Sequence, residues 1–445
     1  MRPNDHQLTE HSARRAELMK RLGHDGVAII PGASEVTRAR DTHHRFRQDS
    51  DFAYLTGLQE PDAIAVIAPG RKDAEGGLAE FVLFVRPRNQ EREIWDGRRY
   101  GPEGVVSLFG AHQAYSIESL ATELPKLLQG RETVHYSLGE YPALDTQVIA
   151  AVKNIRDVAR RGAAAPHTIV ALEQTLHEMR LIKRPAELEL QRTACEVSAA
   201  AHVRAMQLTK PGKNEWEIAA LIQAEFALND CEPGYGTICG GGDNACILHY
   251  TENNAPLKDG DLLLIDAGAE YRGYTGDITR SFPVNGKFSA AQKAIYQIVL
   301  DAQLAAIAEL KVGNNVGRPH EVATRVLTEG MVRLGLLKGE VDALIKADAQ
   351  KQFYMHGTGH WLGMDVHDVG RYKLAGKYRN FEVGMVMTVE PGIYVAPGSE
   401  GIDPQYWGIG IRIEDDVLVT ANGPEVLTSG VPKEVDEIEA IMAAA

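Results

Sequence analysis

Apolar and polar positions alternate differently in the two parts of the chain. In the first part, short apolar runs at 26–30, 63–68 and 81–85 are separated by stretches of helical periodicity such as 7–22. The other elements predicted here are a helix at 117–128, a strand at 133–136 and a helix at 146–155. Strands that alternate with helices favour an α/β domain with a central sheet.

A basic stretch rich in small residues, 160–166, separates this part from a second one with a different pattern. Beyond it, the predicted helices lie at 185–209, 214–229, 289–310, 320–335 and 341–351. The predicted strands lie at 262–266, 279–284, 385–390 and 409–419. Helices grouped against a largely antiparallel sheet favour an α+β domain. We therefore predict two domains, residues 1–170 and 171–445.

Composition narrows the class of protein further. The chain has 445 residues, 44% of them hydrophobic, and a formal net charge of −14, which disfavours nucleic acid or an anionic membrane surface as the partner. The polar N-terminus lacks the pattern of a signal peptide, and no apolar run is long enough for a membrane span. Four cysteines without C-x-x-C spacing are typical of reduced, buried residues. These features predict a soluble cytoplasmic protein.

Five acidic or histidine positions in the second part carry the candidate chemistry: Asp266, Asp277, His360, Glu390 and Glu414. Each acid lies at or within an apolar strand, where an unpaired carboxylate is costly. Taken singly, each would be read as a salt-bridged or capping residue, but five together indicate a metal site. Four carboxylates and one imidazole suit Mn²⁺ or another divalent first-row ion, and a pair of ions that holds a hydroxide between them would perform hydrolysis.

Three more histidines lie in the same glycine-rich segments as the candidate ligands. His249, His356 and His367 are candidates for binding substrate or stabilising an oxyanion. His356 and His360 are spaced as in helical zinc motifs, but the intervening Gly-Thr-Gly is a poor helix former. We therefore predict a strand or loop for that segment.

At these residues the sequence resembles the pita-bread-fold metallopeptidases, and among them the bacterial Xaa-Pro aminopeptidases (aminopeptidase P). The motifs that carry the resemblance are 247–253 (ILHYTEN), 264–268 (LIDAG), 276–280 (GDITR), 356–363 (HGTGHWLG), 365–370 (DVHDVG), 388–392 (TVEPG) and 408–415 (GIGIRIED). It extends into the first part through 47–57 (RQDSDFAYLTG) and 94–99 (IWDGRR). The resemblance implies an N-terminal α/β domain like that of creatinase and prolidase, followed by a catalytic pita-bread domain.

The resemblance also implies a ligand set, consisting of Asp266, Asp277, His360, Glu390 and Glu414. Asp277 and Glu414 would touch both of two metal ions, and Glu390 would also carry the proton. The implied ions are Mn²⁺ first, with Co²⁺, Zn²⁺ or Fe²⁺ also compatible.

The remaining roles come from the same resemblance. His249 and His367 would flank the substrate carbonyl and the scissile bond, while His356 would support the site. Arg412 would orient nearby carboxylates. The amine of the substrate would bind at one ion near Asp266, and the bridging hydroxide would attack the carbonyl that precedes proline.

The implied substrates are therefore peptides with an Xaa-Pro N-terminus, from which the first residue is released. The implied assembly is a homo-oligomer, a dimer or a tetramer, with the N-terminal domain contributing to oligomerisation and to the shape of the substrate site. Two alternatives stay open. An Xaa-Pro dipeptidase (prolidase) shares the ligands and mechanism, and a non-catalytic peptide-binding module could use the same fold.

Overall fold

The computed structural model describes residues 4–444. The chain divides into two compact units, Met1–Glu178 and Met179–Ala445. The two units contain different kinds of sheet.

The first unit is built on a six-stranded mixed sheet with the order β6-β5-β4-β1-β7-β8. The strands of this unit are β1 (Gly26–Pro31), β2 (Thr37–Ala39), β3 (Thr42–His43), β4 (Ile64–Ile67), β5 (Phe81–Val85), β6 (Gln113–Ser116), β7 (Thr133–His135) and β8 (Thr168–Val170). The β1–β7, β5–β6 and β7–β8 pairs are parallel, and β4 is antiparallel to both of its neighbours.

Helices are interspersed with these strands along the chain, as the alternating pattern predicts. They are α1 (Asp5–Leu22), α2 (Ser50–Thr56), α3 (Gln90–Asp96), α4 (Gly101–Phe109), α5 (Leu120–Leu128) and α6 (Pro142–Asp157). α5 and α6 share a core with alternate residues of the central strands, among them Val27 and Ile29 of β1. β1 is buried at every position, as expected for a strand that is covered on both faces. The predicted α/β class of this part is confirmed.

The second unit contains longer helices, most of which begin and end close to the predicted positions. They are α7 (Glu173–Leu181, which spans the division between the units), α8 (Pro185–Leu208), α9 (Glu215–Leu228), α10 (Ala290–Ile307), α11 (Arg318–Arg333), α12 (Val341–Lys346) and α13 (Val435–Ala443). The single helix predicted at 341–351 is wrong. α12 ends at Lys346, and a short 3₁₀ helix follows at Ala349–Gln352. Between them Asp348 has a φ of 55°, which a right-handed helix does not accommodate.

Short antiparallel strands complete the second unit. They are β9 (Glu232–Pro233), β10 (Ile238–Gly241), β11 (Leu262–Asp266), β12 (Ala269–Tyr271), β13 (Tyr274–Thr275), β14 (Thr279–Pro283), β15 (Lys373–Leu374), β16 (Lys377–Tyr378), β17 (Val386–Val389), β18 (Gly392–Val395), β19 (Ile409–Arg412), β20 (Asp415–Thr420) and β21 (Gly423–Val426). β11 lies between β10 and β14, β20 lies between β17 and β21, and β18 pairs with β19.

The run predicted as one strand at 409–419 is two strands, because Ile413 and Glu414 leave the ladder between β19 and β20. The same interruption occurs between β17 and β18, at Glu390 and Pro391. The four flanking strands are largely buried and rich in apolar residues, although Arg412 and Asp415 stand directly beside the interruption at 413–414. A pattern of apolar residues therefore does not distinguish two short strands from one long strand.

The core of the second unit joins the helices to the strands. Buried side chains of α8 to α11 pack with those of β11, β14 and β17 to β20 in one continuous cluster. The α+β architecture predicted for this part is confirmed. Within residues 4–444, none of the helices combines the length and the hydropathy that a membrane span requires.

Candidate active site

A cavity of about 500 Å³ opens among the strand ends of the second unit. All nine residues that the sequence analysis singled out contribute to its lining, namely Asp266, Asp277, His360, Glu390, Glu414, His249, His356, His367 and Arg412. These residues are spread over 166 positions, from 249 to 414 counted inclusively, so the fold has brought together segments that are far apart in the chain.

Two of the carboxylates stand at the break in one long hairpin. Val389 is paired with Asp415, and Gly392 is paired with Arg412. Continuing that register across the break places Glu390 opposite Glu414. Because both residues lie outside the ladders, their backbone is free to turn their side chains toward the same space.

The other two carboxylates flank a short excursion of the chain. Asp266 is the last residue of β11, and Asp277 lies between β13 and β14. Between them the backbone folds back so closely that a Cβ on Gly268 would lie 1.7 Å from the carbonyl oxygen of Gly276. Glycine is therefore required at position 268 if the two aspartates are to approach each other.

The hydrogen bonding of His360 leaves one of its ring nitrogens available to bind a cation. Its Nδ1 lies 3.0 Å from the carbonyl oxygen of Trp361. Because a carbonyl oxygen only accepts, Nδ1 carries the proton and Nε2 keeps its lone pair. That Nε2 lies 3.6 Å from Asp277 Oδ2 and 3.5 Å from Glu390 Oε1. Ligand atoms of Asp277, His360 and Glu414 all lie within 4.8 Å of one another, a spacing suited to a shared cation.

The electrostatics of the cavity favour a divalent cation. Burial, together with repulsion from Asp266 and Asp416, holds the pKa of Asp277 well above its usual range. Burial and the carboxylates of Asp277 and Glu390 do the same to the pKa of Glu414. The pKa of Glu390 is raised to about 7, chiefly by burial. Ionised carboxylates are costly here unless a cation neutralises them, so the oxygen-rich donor set fits divalent metal ions.

Arg412 connects the carboxylates to the histidine side of the cavity. Its Nη2 donates to Asp266 Oδ2 at 2.6 Å, and its Nη1 donates to the hydroxyl of Tyr394 at 3.0 Å. That hydroxyl lies 2.9 Å from His356 Nε2. The opposite nitrogen of His356, Nδ1, lies 3.8 Å from Glu390 Oε2. Tyr394 thus links Arg412, which contacts Asp266, to His356, which lies near Glu390.

Sequence reasoning missed several hydroxyl groups in contact with these carboxylates. The Tyr235 hydroxyl is hydrogen-bonded to Asp266, at 2.7 Å, and also to Asp277. Thr279 donates to Glu414 Oε2 at 2.6 Å and accepts from Arg412 Nε at 3.0 Å. Tyr235 lies between two glycines, which often mark positions where the backbone turns or is approached closely. The neighbouring sequence does not indicate which residues the Tyr235 hydroxyl contacts.

His249 and His367 lie at the open side of the cavity. Both side chains are exposed and both line the cavity wall. The ring of His367 packs edge-on against that of His360, with centroids 4.3 Å apart. The segment that carries His356 and His360 is not helical, as its glycines predict. The described site therefore has a buried carboxylate floor and an exposed histidine rim.

Two protein-family models match the chain. The model of metallopeptidase family M24 matches residues 189–421, a range that includes all nine residues singled out in the sequence. The model of the aminopeptidase P N-terminal domain matches residues 11–136. The two matches fall in the second and first parts of the chain respectively.

Individual proteins with known names agree with the family models. The Xaa-Pro aminopeptidase of Escherichia coli is 44% identical over 437 residues, which cover 98% of each chain. The aminopeptidase PepP of Pseudomonas aeruginosa has a solved structure that is 50% identical, with a TM-score of 0.95 over 98% of each chain. A structure of zinc-substituted E. coli aminopeptidase P in complex with product is 44% identical, with a TM-score of 0.94 over 98% of each chain. The chain belongs to metallopeptidase family M24 and is a relative of the Xaa-Pro aminopeptidases in both of its domains.

Proposed function

We propose that this chain is a dinuclear-metal aminopeptidase that releases the N-terminal residue from peptides with proline in the second position. The observation that carries the proposal is the cavity in which burial and mutual repulsion raise the pKa values of three carboxyl groups beside a histidine. The names of the full-length relatives support the same activity.

The metal-binding residues in this proposal are Asp266, Asp277, His360, Glu390 and Glu414. Mn²⁺ is the proposed ion, because carboxylates are hard ligands and a single imidazole suits a first-row metal. When bound, the ions would lower the pKa of coordinated water and polarise the peptide carbonyl. A zinc-substituted relative is in keeping with a site that tolerates more than one divalent ion.

Glu390 is the proposed proton carrier. Its Oε1 and Oε2 face His360 and His356 at 3.5 and 3.8 Å, so the carboxylate stands between two imidazoles at the edge of the ligand set. From this position it would take a proton from the attacking water and return it to the proline nitrogen. His356 is kept neutral because burial lowers its pKa to about 4. Its Nδ1 donates to the carbonyl oxygen of Gly357 at 2.7 Å, so it would support the site without adding charge.

The rim histidines have a separate task. His249 and His367 are exposed on the open side of the cavity, where they would donate to the carbonyl oxygen as negative charge develops on it. A peptide bond before proline has no N–H to offer an enzyme. Recognition therefore relies on the proline ring and on the free amine of the first residue.

A homo-oligomer, dimer or tetramer, belongs to the same proposal. Helix α3 has no buried residue, and its side chains Ile94 and Trp95 are 80% and 84% exposed. Large apolar side chains on an uncovered helix are typical of an interface.

Size-exclusion chromatography with light scattering should give a dimer or tetramer, and a monomer would refute the assembly.

The activity is tested by hydrolysis of Arg-Pro-Pro and Ala-Pro side by side, first with Mn²⁺ and then with a chelator. We expect metal-dependent release of arginine from the tripeptide and little cleavage of the dipeptide. Cleavage of the dipeptide alone would make the protein a prolidase. Cleavage of neither peptide by metal-loaded protein would favour the non-catalytic peptide-binding module.

Two substitutions, Glu390→Gln and His249→Ala, test the proposed proton carrier and one of the exposed histidines separately. Glu390→Gln removes the proton carrier, so we expect kcat to fall by about 10²–10⁴-fold.

His249→Ala removes a hydrogen-bond donor from the exposed side of the cavity, so we expect kcat to fall by about 10²–10³-fold while the metal content stays at the wild-type level. Metal content is measured by elemental analysis of the purified variants. Loss of metal in His249→Ala would mean that His249 belongs to the ligand set.

Metal loading should release protons at pH 7. The metal-free protein holds protons on carboxyl groups with raised pKa values, among them Glu390 at about 7, and a bound cation displaces them. Calorimetric titration of chelator-stripped protein with Mn²⁺, in buffers of different ionisation enthalpy, measures that release. Affinity should increase as pH rises through 7, because fewer protons compete. His249→Ala is the control and should release as many protons as the wild type, whereas an absence of release in the wild type would contradict the ligand assignment.

A further inference from the structure

Helix α8 carries a line of four buried polar side chains that the proposed reaction does not use. They are Gln191, Cys195, Ser198 and His202, all 0% exposed. Their spacings of four, three and four residues place them on one face of the helix. Polar groups are buried at a cost unless they are hydrogen-bonded, so the partners of this line indicate its purpose.

Three of the four side chains bind the backbone between the two aspartates. His202 Nε2 lies 3.0 Å from the carbonyl oxygen of Ala267, and Ser198 Oγ accepts from the N–H of Ala269 at 2.8 Å. Gln191 Nε2 donates to the carbonyl oxygen of Thr275 at 3.4 Å. The segment 267–276, which separates Asp266 from Asp277, is therefore held to α8 at both of its ends.

The fourth side chain acts on Asp277 through another carboxylate. Cys195 Sγ donates to Asp416 Oδ2 at 3.2 Å, and the same oxygen accepts from the backbone N–H of Asp277 at 2.8 Å. The other oxygen of Asp416 is buried and makes no hydrogen bond within the described residues. The orientation of Asp416 therefore depends on the Oδ2 contacts.

The helix also approaches this segment very closely. A Cβ on Gly276 would lie 2.9 Å from Ser198 Oγ and 3.2 Å from the backbone of Ala194. His202 Nδ1 is buried and unpaired within the described residues. Burial lowers the pKa of His202 to about 4, so the ring is neutral and Nε2 carries the proton donated to Ala267. Such a neutral donor fixes geometry without changing the charge of the site.

We propose that Gln191, Cys195, Ser198 and His202 are positioning residues that set the distance and orientation of Asp266 and Asp277, and thereby the metal affinity of the site. The proposal rests on the ligand set given under Proposed function. Removal of residues that orient metal ligands without contacting the metal typically lowers the metal affinity by about 10–100-fold.

The test is the affinity of chelator-stripped protein for Mn²⁺, measured by calorimetry, together with the Tm of the metal-free protein. Cys195→Ala and His202→Leu remove the donors, and we expect each to weaken the affinity by about 10–100-fold. Cys195→Ser and His202→Gln keep a donor near the original position and should restore most of the affinity. kcat at saturating Mn²⁺ should recover in all four variants.

Thr328→Val is the matched control for lost stability. Thr328 is also 0% exposed, and its hydroxyl donates to Thr324 within helix α11, so its removal should lower the Tm without changing the affinity for Mn²⁺. Unchanged affinity in both Cys195→Ala and His202→Leu, with only a fall in Tm like that of the control, would overturn the positioning role. If His202→Leu does not fold, Cys195→Ala decides. Absence of Mn²⁺ binding by the unaltered chain would instead overturn the ligand set itself, together with this inference.

Discussion

Repulsion among carboxylates that share one buried cavity is the constraint on which the second unit depends. Asp266, Asp277, Glu390 and Glu414 line the same space, and among the residues that line this described cavity Arg412 provides a fixed positive charge. One guanidinium does not neutralise four carboxylates. The protein alone therefore leaves the cavity short of positive charge, and divalent ions would supply it.

The backbone brings these groups together through interruptions in its ladders. Glu390 and Glu414 face each other where a long hairpin loses its pairing, and Asp266 and Asp277 close a turn that only glycine permits at position 268. Regular strands alternate their side chains between two faces. An interruption frees the backbone from that alternation and allows neighbouring segments to aim carboxylates at the same point.

Much of this arrangement could be predicted from the sequence, and the rest could not for identifiable reasons. Apolar runs that end in an acid predicted β11 with Asp266 at its end, and α8 and α9 follow from long periodic segments. The break at Glu414 was missed because β19 and β20 both contain several apolar residues, which favoured one continuous strand. Tyr235 was missed because its partners are 31 and 42 residues away. Local patterns predict elements, whereas hydrogen bonds across the fold depend on how those elements pack.

Three consecutive acids, Glu414, Asp415 and Asp416, show how packing assigns different tasks to similar residues. Asp415 is bonded by Arg280 at 2.7 Å and Lys433 at 2.6 Å. Although burial opposes ionisation, these two cations hold the pKa of Asp415 at about 2.

Asp416 receives the N–H of Asp277 and the thiol of Cys195, so it acts on the backbone of a proposed ligand. Glu414 receives a hydroxyl from Thr279, while its closest charged neighbours include the carboxylates that raise its pKa. Two cations of the chain balance the charge of Asp415, whereas Arg412 only partly offsets the three carboxylates around Glu414. A buried carboxylate whose charge its own chain does not balance is the one that an external cation stabilises most. For these two neighbouring acids, that difference in countercharge separates the structural acid Asp415 from the proposed ligand Glu414.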